Sequence, residues 1–328
     1  MIHIKRLVLF LWCSLYIISA LAQEETPYKT SIPQKGEGLY AFLSRNNLNP
    51  DKFTQQFLDL NKGKFGKNNA LLLGVKYKIP SSETYLFEPL YGKDREKFKV
   101  ESDNLNGAVY YLVSGHGGPD PGALGQYGDK TLSEDEYAYD ITLRLAKKLQ
   151  ENGASVNMII QDKNDGIRDE SYLEMDKDEV CNDEEIPLEQ INRLKQRTTA
   201  INQLYLKNKP AYQRCVIIHV DSRSKGKAID VFFYHSPKSN SGKNTAQSLL
   251  NIFDAKYSQH QPSRGYSGVV SSRNLYLLRK TYPTAVFIEL GNIRNYRDQQ
   301  RFILENNRQA LANWLYEGLL SDYKSNNK

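Results

Sequence analysis

Four side chains with metal-binding or acid–base chemistry stand where an open α/β sheet would bring them together. His116 follows an apolar run in a glycine-dense turn, and His219 ends another such run. Glu289 ends a third, and Glu134 opens a predicted helix. Ligands bind such sheets at the carboxyl ends of the strands. Two imidazoles and one carboxylate on that rim form the three-ligand set of catalytic zinc, with the fourth position left to water.

A second carboxylate completes this interpretation, because Glu289 would serve as general base towards that water. Each residue also has a structural interpretation when it is taken alone. A single histidine at a strand end is usually a satisfied structural residue, and Glu134 would stabilise a helix dipole. It is the set of four that favours a metal site with His116, Glu134 and His219 as ligands.

The elements that must position these residues alternate along the chain. Apolar, β-rich runs are separated by helical stretches, and this alternation predicts an α/β fold with a mainly parallel sheet and helices on both faces. The apolar runs cover residues 108–113, 156–160, 216–220 and 285–290. The helical stretches cover residues 134–151, 188–206, 245–257 and 299–322.

The residues around the four side chains form motifs in a fixed order. They are Gly-His-Gly-Gly-x-Asp-Pro-Gly-Ala at 115–123, a helix that opens at Glu134 and stops at Gly153, a strand that ends in His219, and Glu-Leu-Gly-x-x-x-Asn at 289–295. In this order they resemble the zinc-dependent N-acetylmuramoyl-L-alanine amidases, the family of the periplasmic and sporulation cell-wall amidases. The resemblance extends over residues 107–322 and assigns the catalytic domain to residues 106–324.

The resemblance implies one zinc ion per chain, held by His116, Glu134 and His219, with Glu289 as the catalytic base. It also implies that Asp120 shapes the metal loop. The expected reaction is hydrolysis of the amide between the lactyl group of N-acetylmuramic acid and the L-alanine of the stem peptide. Two other functions stay open: a non-catalytic cell-wall binding protein on the same fold, and a zinc peptidase that acts within the stem peptide.

Three departures from the family pattern concern the rim rather than the metal ligands. Many members have an aspartate where this chain has Val113, and a Phe and a Ser or Thr where it has Asn292 and Arg294. In the helix before the third strand, Arg197 and Asn202 match the family and are expected to be structural.

The amino terminus predicts export. Lys5 and Arg6 precede an apolar run over residues 7–22 that closes with Ala-Leu-Ala, as in a secretory signal peptide. The alternative is a membrane anchor, but the run falls short of the roughly 20 residues that span a bilayer. The expected location is the periplasm or the cell envelope, with no transmembrane segment after cleavage. Without residues 1–22 the chain keeps 42 basic and 38 acidic residues and lacks a basic tract, which excludes nucleic acid as a partner.

Residues 28–80 predict a helix, a turn and a second helix between two short extended stretches. Leu60-Asn61 and the Gly-x-x-x-x-Ile-Pro ending at residues 74–80 resemble a lysin-motif module. Such modules bind glycans that contain N-acetylglucosamine, so the resemblance implies targeting to peptidoglycan. The alternative is a small helical cap on the main domain. Residues 81–105, with few large aliphatic side chains, predict a linker or an extended arm.

Three further features have two interpretations each. Cys181 and Cys215 would form a disulfide in an exported chain or remain buried thiols. The acidic insertion between Asp162 and Glu189 would act as a lid or inhibitory element, or form a solvated excursion. An activator protein is a partner that the sequence neither requires nor excludes.

Overall fold

The computed structural model describes residues 28–81, 83–208, 211–221, 230–263 and 265–327. The predicted signal peptide lies outside these residues. The chain divides into two compact units, Met1–Ser82 and Glu83–Lys328. None of the helices in the described ranges has both the length and the hydropathy that crossing a bilayer requires.

The first unit is built on two helices and a two-stranded sheet. Pro50 at the first position of the second helix, and an Asn49 side chain that accepts from the Asp51 N–H at 2.9 Å, define that helix's start. Its core is aromatic, with Phe42, Phe57 and Tyr77 rings packed at 5.6–5.9 Å. The elements are β1 (Thr30–Ser31), α1 (Leu39–Arg45), α2 (Pro50–Leu60) and β2 (Tyr77–Lys78), with β1 antiparallel to β2.

The second unit has a central six-stranded sheet in the order β14-β13-β15-β12-β5-β8. The four strands from β15 to β8 are parallel, and β13 with β14 runs against them. The sheet strands are β5 (Ala108–Ser114), β8 (Ser155–Met158), β12 (Tyr212–Asp221), β13 (Phe232–His235), β14 (Val269–Ser272) and β15 (Thr284–Asn292). Short strands outside it are β3 (Tyr85–Phe87), β4 (Lys97–Lys99), β6 (Leu124–Tyr127), β7 (Lys130–Ser133), β9 (Ile160–Gln161), β10 (Val180–Cys181) and β11 (Glu184–Glu185).

Helices cover both faces of the sheet, because its strands are apolar on both sides. The helices are α3 (Glu134–Glu151), α4 (Gln190–Lys207), α5 (Asn240–His260), α6 (Tyr276–Lys280), α7 (Tyr296–Ile303) and α8 (Glu305–Asn326). In β5, Tyr110 and Leu112 face one core cluster with α3, α5 and α8, whereas Val109, Tyr111 and Val113 face another with α4 and α6. The predicted α/β class with a mainly parallel sheet is confirmed.

Residues 83–105 differ from the predicted linker. Tyr91 and Phe98 lie in the core of the second unit, with ring centroids 5.4 Å apart. The Tyr91 hydroxyl donates to Gln150 on α3 at 2.5 Å. These aromatic side chains anchor the segment to the sheet unit although it has few aliphatic residues.

The two cysteines that the described residues contain do not form the disulfide. Cys181 and Cys215 are both buried and free. Both pack in the core cluster that contains α4, and burial raises the pKa of each thiol. They serve as small apolar side chains.

The acidic insertion is more than a solvated excursion. Ile167 and Leu173 are buried in the core of the second unit. The Tyr137 hydroxyl of α3 donates to the Ser171 carbonyl at 2.9 Å, and the Glu179 carboxylate accepts the Gly118 N–H at 2.6 Å. The insertion therefore supports the glycine-dense turn that carries His116.

Candidate metal centre

The sheet register brings the predicted site residues to one edge. Strands β12 and β15 are parallel neighbours, and His219 lies directly opposite Glu289. His116 follows the end of β5, the other neighbour of β12, and Glu134 is the first residue of α3. All four residues thus lie at the carboxyl end of the parallel strands, as the sequence predicts.

The buried Glu134 carboxylate lies between the two imidazoles. One oxygen is 2.9 Å from His219 Nδ1, and the other is 3.2 Å from His116 Nε2. One ligand atom from each of the three side chains lies within 4.8 Å of the other two. Two nitrogens and one carboxylate oxygen at this spacing are able to hold a metal ion.

The backbone around the site leaves room for the ligands because glycines line it. A Cβ on Gly115 would lie 2.5 Å from His219 Nδ1, and one on Gly122 would lie 2.6 Å from the His116 ring. Gly122 also has a φ of +68°, which glycine adopts without strain. The position of the two rings therefore requires glycine at residues 115 and 122.

Asp120 connects the His116 ring to the helix behind it. Its carboxylate lies 3.0 Å from His116 Nδ1 and accepts from Arg193 on α4 at 2.6 Å. The hydrogen bond from His116, together with the Arg193 charge, lowers the Asp120 pKa to about 2. Asp120 therefore stays ionised and fixes the ring orientation, as a carboxylate behind a metal-ligating histidine does.

The His116 turn is also held at its backbone. His116 has a φ of +62°, an uncommon conformation for a residue with a side chain. The guanidinium of Arg197 on α4 donates to the His116 carbonyl. Burial lowers the Arg197 pKa to about 10. Asn202, by contrast, bonds the backbone of residues 280 and 282, which is a structural role.

The electrostatics of the three ligands favour a cation. Burial alone would lower the His116 pKa, but hydrogen bonds to Asp120 and Glu134 outweigh it and raise the pKa to about 9. Burial opposes ionisation of Glu134 too, yet hydrogen bonds from both imidazoles hold its pKa well below the ordinary value. Burial lowers the pKa of His219. A metal ion would replace the proton that this carboxylate environment stabilises on His116.

Two cavities open at this edge. One, of about 450 Å³, is lined by the three ligands together with Glu289, Arg193 and Arg294. The other, of about 210 Å³, shares His116 and His219 but is walled by apolar side chains such as Leu275 and Phe287. The half-buried Glu289 thus faces the same space as the ligands.

Two residues that support the site, Arg193 and Glu179, are not among those predicted from the sequence. Arg193 lies four positions before Arg197, on the same face of α4, and this spacing could have indicated it. No local sequence pattern indicates Glu179, because its contact with Gly118 joins segments 61 residues apart.

The chain matches a family model over residues 111–321, on the α/β unit that carries the site. The description of that family is N-acetylmuramoyl-L-alanine amidase. The match covers well over half of the chain, and the protein therefore belongs to this family.

A curated relative is the probable cell wall amidase LytH of Staphylococcus aureus, 25% identical over 226 residues. The match covers 67% of this chain but only 60% of that relative. Similar solved structures include the CwlD amidase of Clostridioides difficile in complex with the GerS lipoprotein, at 21% identity and a TM-score of 0.48 over 66% of this chain and 98% of that one. Another is AmiC2 of Nostoc punctiforme, at 19% identity and a TM-score of 0.47 over 66% of this chain and 97% of that one.

Proposed function

We propose that this protein is an exported, zinc-dependent peptidoglycan amidase. Its substrate bond is the amide between the lactyl group of N-acetylmuramic acid and the L-alanine of the stem peptide. The observation that carries the proposal is the arrangement of His116, Glu134 and His219 around one point, with Glu289 on the adjacent strand. Membership of the amidase family supports the choice of bond.

The donor set fits zinc. Two imidazoles and a carboxylate are the ligands of many catalytic zinc sites, and the Asp120 contact to His116 is a usual orienting interaction. When bound, the zinc polarises the scissile carbonyl and acidifies water. One ion per chain is expected, at the three ligands.

Glu289 has the position of a general base. It lies on β15 opposite His219 and lines the same cavity as the ligands. A carboxylate there accepts a proton from the attacking water and delivers it to the amine of the leaving alanine. Arg193 holds Asp120 and thereby the His116 ring, whereas Arg294 supplies positive charge at the rim for the acidic stem peptide.

The first unit has a targeting role in this proposal. Its two helices between two short strands, and the sequence resemblance to a lysin motif, support binding to glycans that contain N-acetylglucosamine. A chain that begins at Glu83 should bind insoluble peptidoglycan less than the mature chain does. Glu83 is the right start, because Tyr91 and Phe98 belong to the core of the second unit. Equal binding by both chains would refute the targeting role.

The activity is tested by digesting purified peptidoglycan with the mature chain and determining the masses of the products. Free stem peptides that begin with L-alanine, together with peptide-free glycan strands, are expected. Fragments cut within the stem peptide would identify a peptidase instead. Retention on the peptidoglycan without any product would identify a binding protein.

Two matched carboxamide variants separate base from ligand. Glu134→Gln should weaken zinc binding, and excess zinc should partly restore activity. Glu289→Gln should keep zinc near one per chain while turnover falls by about a hundred- to ten-thousand-fold without rescue by zinc. Metal lost in the second variant and kept in the first would mean that the two roles are exchanged.

A further inference from the structure

Three tyrosines from separate segments meet on the surface of the second unit. They are Tyr127 at the end of β6, Tyr172 in the acidic insertion and Tyr296 at the start of α7, and we call them the tyrosine shelf. The Tyr127 and Tyr296 rings are stacked, with centroids 5.0 Å apart and planes inclined by 7°. Tyr172 lies 6.3 Å from Tyr127.

The shelf is exposed but firmly held. Tyr296 is 67% exposed and Tyr172 is 39% exposed. Exposed aromatic surface concentrated at one place marks an interaction site. The two stacked hydroxyls lie 3.1 Å apart, and Gln300 donates to the Tyr127 hydroxyl at 2.9 Å. Since the Tyr127 and Tyr296 rings are fixed before any ligand arrives, binding to them costs little conformational entropy.

The backbone beneath the shelf is locked as well. Gln299 donates to the carbonyls of Gln126 and Ile293, at 3.1 Å and 2.7 Å. Gly125 lies so close to the segment before α7 that a Cβ there would fall 2.1 Å from the Ile293 carbonyl oxygen. The β6–β7 hairpin and the start of α7 therefore form one surface.

This surface is continuous with the candidate metal centre. Arg294, which lines the cavity of the ligands, donates through Nε to the Leu124 carbonyl at 3.1 Å. The Ala123 N–H, at the other end of the hairpin strand, donates to Glu134 at 2.9 Å. Ala123 and Tyr127 are four residue steps apart along extended chain, or about 13 Å. A polymeric substrate held at the metal centre therefore reaches the shelf with units next to the one that reacts.

We propose that the tyrosine shelf binds a pyranose ring of the glycan strand, next to the muramic acid whose amide is cut. The inference rests on the proposed function. A pyranose has an apolar face of polarised C–H groups and an edge of hydroxyls. The first matches the electron-rich face of an aromatic ring, and the second matches the phenol hydroxyls. The shelf thus selects polymeric glycan over an isolated muropeptide.

The test compares two substrates in steady-state kinetics. One is solubilised peptidoglycan with long glycan strands, and the other is N-acetylmuramoyl-L-alanyl-D-isoglutamine, which has a single sugar. Tyr296→Ala should raise KM for the polymer about three- to tenfold, the usual worth of one aromatic contact, and leave kcat and the single-sugar substrate unchanged. Tyr296→Phe keeps the ring and loses only the hydroxyl. Its KM for the polymer should therefore stay close to that of the wild type.

Tyr282→Ala is the matched control. Tyr282 is 61% exposed and also packs against another tyrosine, Tyr205, but it precedes β15 at the opposite end of the sheet. If Tyr296→Ala impairs both substrates by the same factor, or if Tyr282→Ala has the same effect on the polymer, the proposal is overturned. Thermal melts of the variants detect a merely structural loss.

A binding measurement separates failure of the shelf from failure of the proposed function. Peptide-free glycan strands are titrated into the full mature chain and into its Tyr296→Ala variant, so that the first unit contributes equally to both. Weaker binding by the variant supports the shelf even if neither chain cuts any substrate. Equal binding overturns it even if the wild type is an active amidase.

Discussion

Gly115→Ala should disable the candidate metal centre by a displacement that the structure specifies. The added Cβ would lie 2.5, 2.6 and 2.7 Å from three atoms of the His219 ring, and therefore above the ring face. Ordinary contact begins at 3.4 Å, so the ring has to retreat by about 0.9 Å. The ring is already stacked on Phe287, with centroids 4.4 Å apart, so a retreat either breaks this contact or turns the ring towards the cavities beside it.

The cost follows from this geometry. Forcing an extra carbon into a packed site costs about 1–3 kcal/mol of unfolding free energy. A displacement near 1 Å at a reacting group reduces the rate by about a hundredfold, and a disturbed ligand shell lowers metal affinity by about ten- to a hundredfold. Zinc affinity, measured with a competing chelator, is the primary assay because it needs no substrate. Hydrolysis of peptidoglycan is the second.

Gly38→Ala is the control, because a methyl group there meets nothing within 4 Å and the backbone is not left-handed. It should leave metal affinity and activity unchanged. Wild-type zinc affinity and activity in Gly115→Ala would contradict the predicted displacement of the His219 ring.

For three further substitutions the structure predicts the sign of the change in metal affinity or stability. Asp120→Asn should lower zinc affinity by about ten- to a hundredfold in the chelator assay, since it removes the charge that orients His116; unchanged affinity would contradict this. Asp140 is fully buried and lies 2.7–2.8 Å from two guanidinium groups. Asp140→Asn should therefore lower the free energy of unfolding, measured in urea, by about 3–5 kcal/mol. A loss below about 1 kcal/mol would count against it. Burial raises the Asp162 pKa to about 6, so the folded state binds the proton more tightly and stability falls as pH rises from about 4 to 6. Asp162→Asn should therefore be more stable than the wild type by about 1–3 kcal/mol at pH 7 and equal to it near pH 4. A gain in stability that does not depend on pH would exclude the raised Asp162 pKa as its cause.

The sequence predicts that the four residues meet at one edge of the sheet, because each is marked by its local surroundings. His116 stands in a glycine-dense turn, Glu134 opens a helix, and His219 and Glu289 end apolar strands. The fold class follows from the same alternation of strands and helices. The parallel register then places these strand ends together without further information.

What the sequence does not predict depends on contacts between distant segments. Tyr91 and Phe98 bury a segment that has few aliphatic residues, and Glu179 supports the His116 turn from within the acidic insertion. Cys181 and Cys215 pack in the same core cluster as free thiols, although their even number permits a disulfide. Composition alone cannot distinguish a buried side chain from an exposed one in such segments.

The proposed chemistry and the proposed substrate surface lie on different parts of the fold. The separation of His219 and Glu289 is a property of two hydrogen-bonded parallel strands, and changes in the surrounding loops leave it in place. The rim at Arg294 and the tyrosine shelf is made from a hairpin, an insertion and the start of a helix. The exposed Arg294, which departs from the family pattern, belongs to this rim, whereas Asn292 is fully buried at the end of β15. His116, Glu134, His219 and Glu289, the proposed ligands and base, match the family pattern. Substrate selection by this protein should consequently differ from that of its relatives even where the reaction is the same.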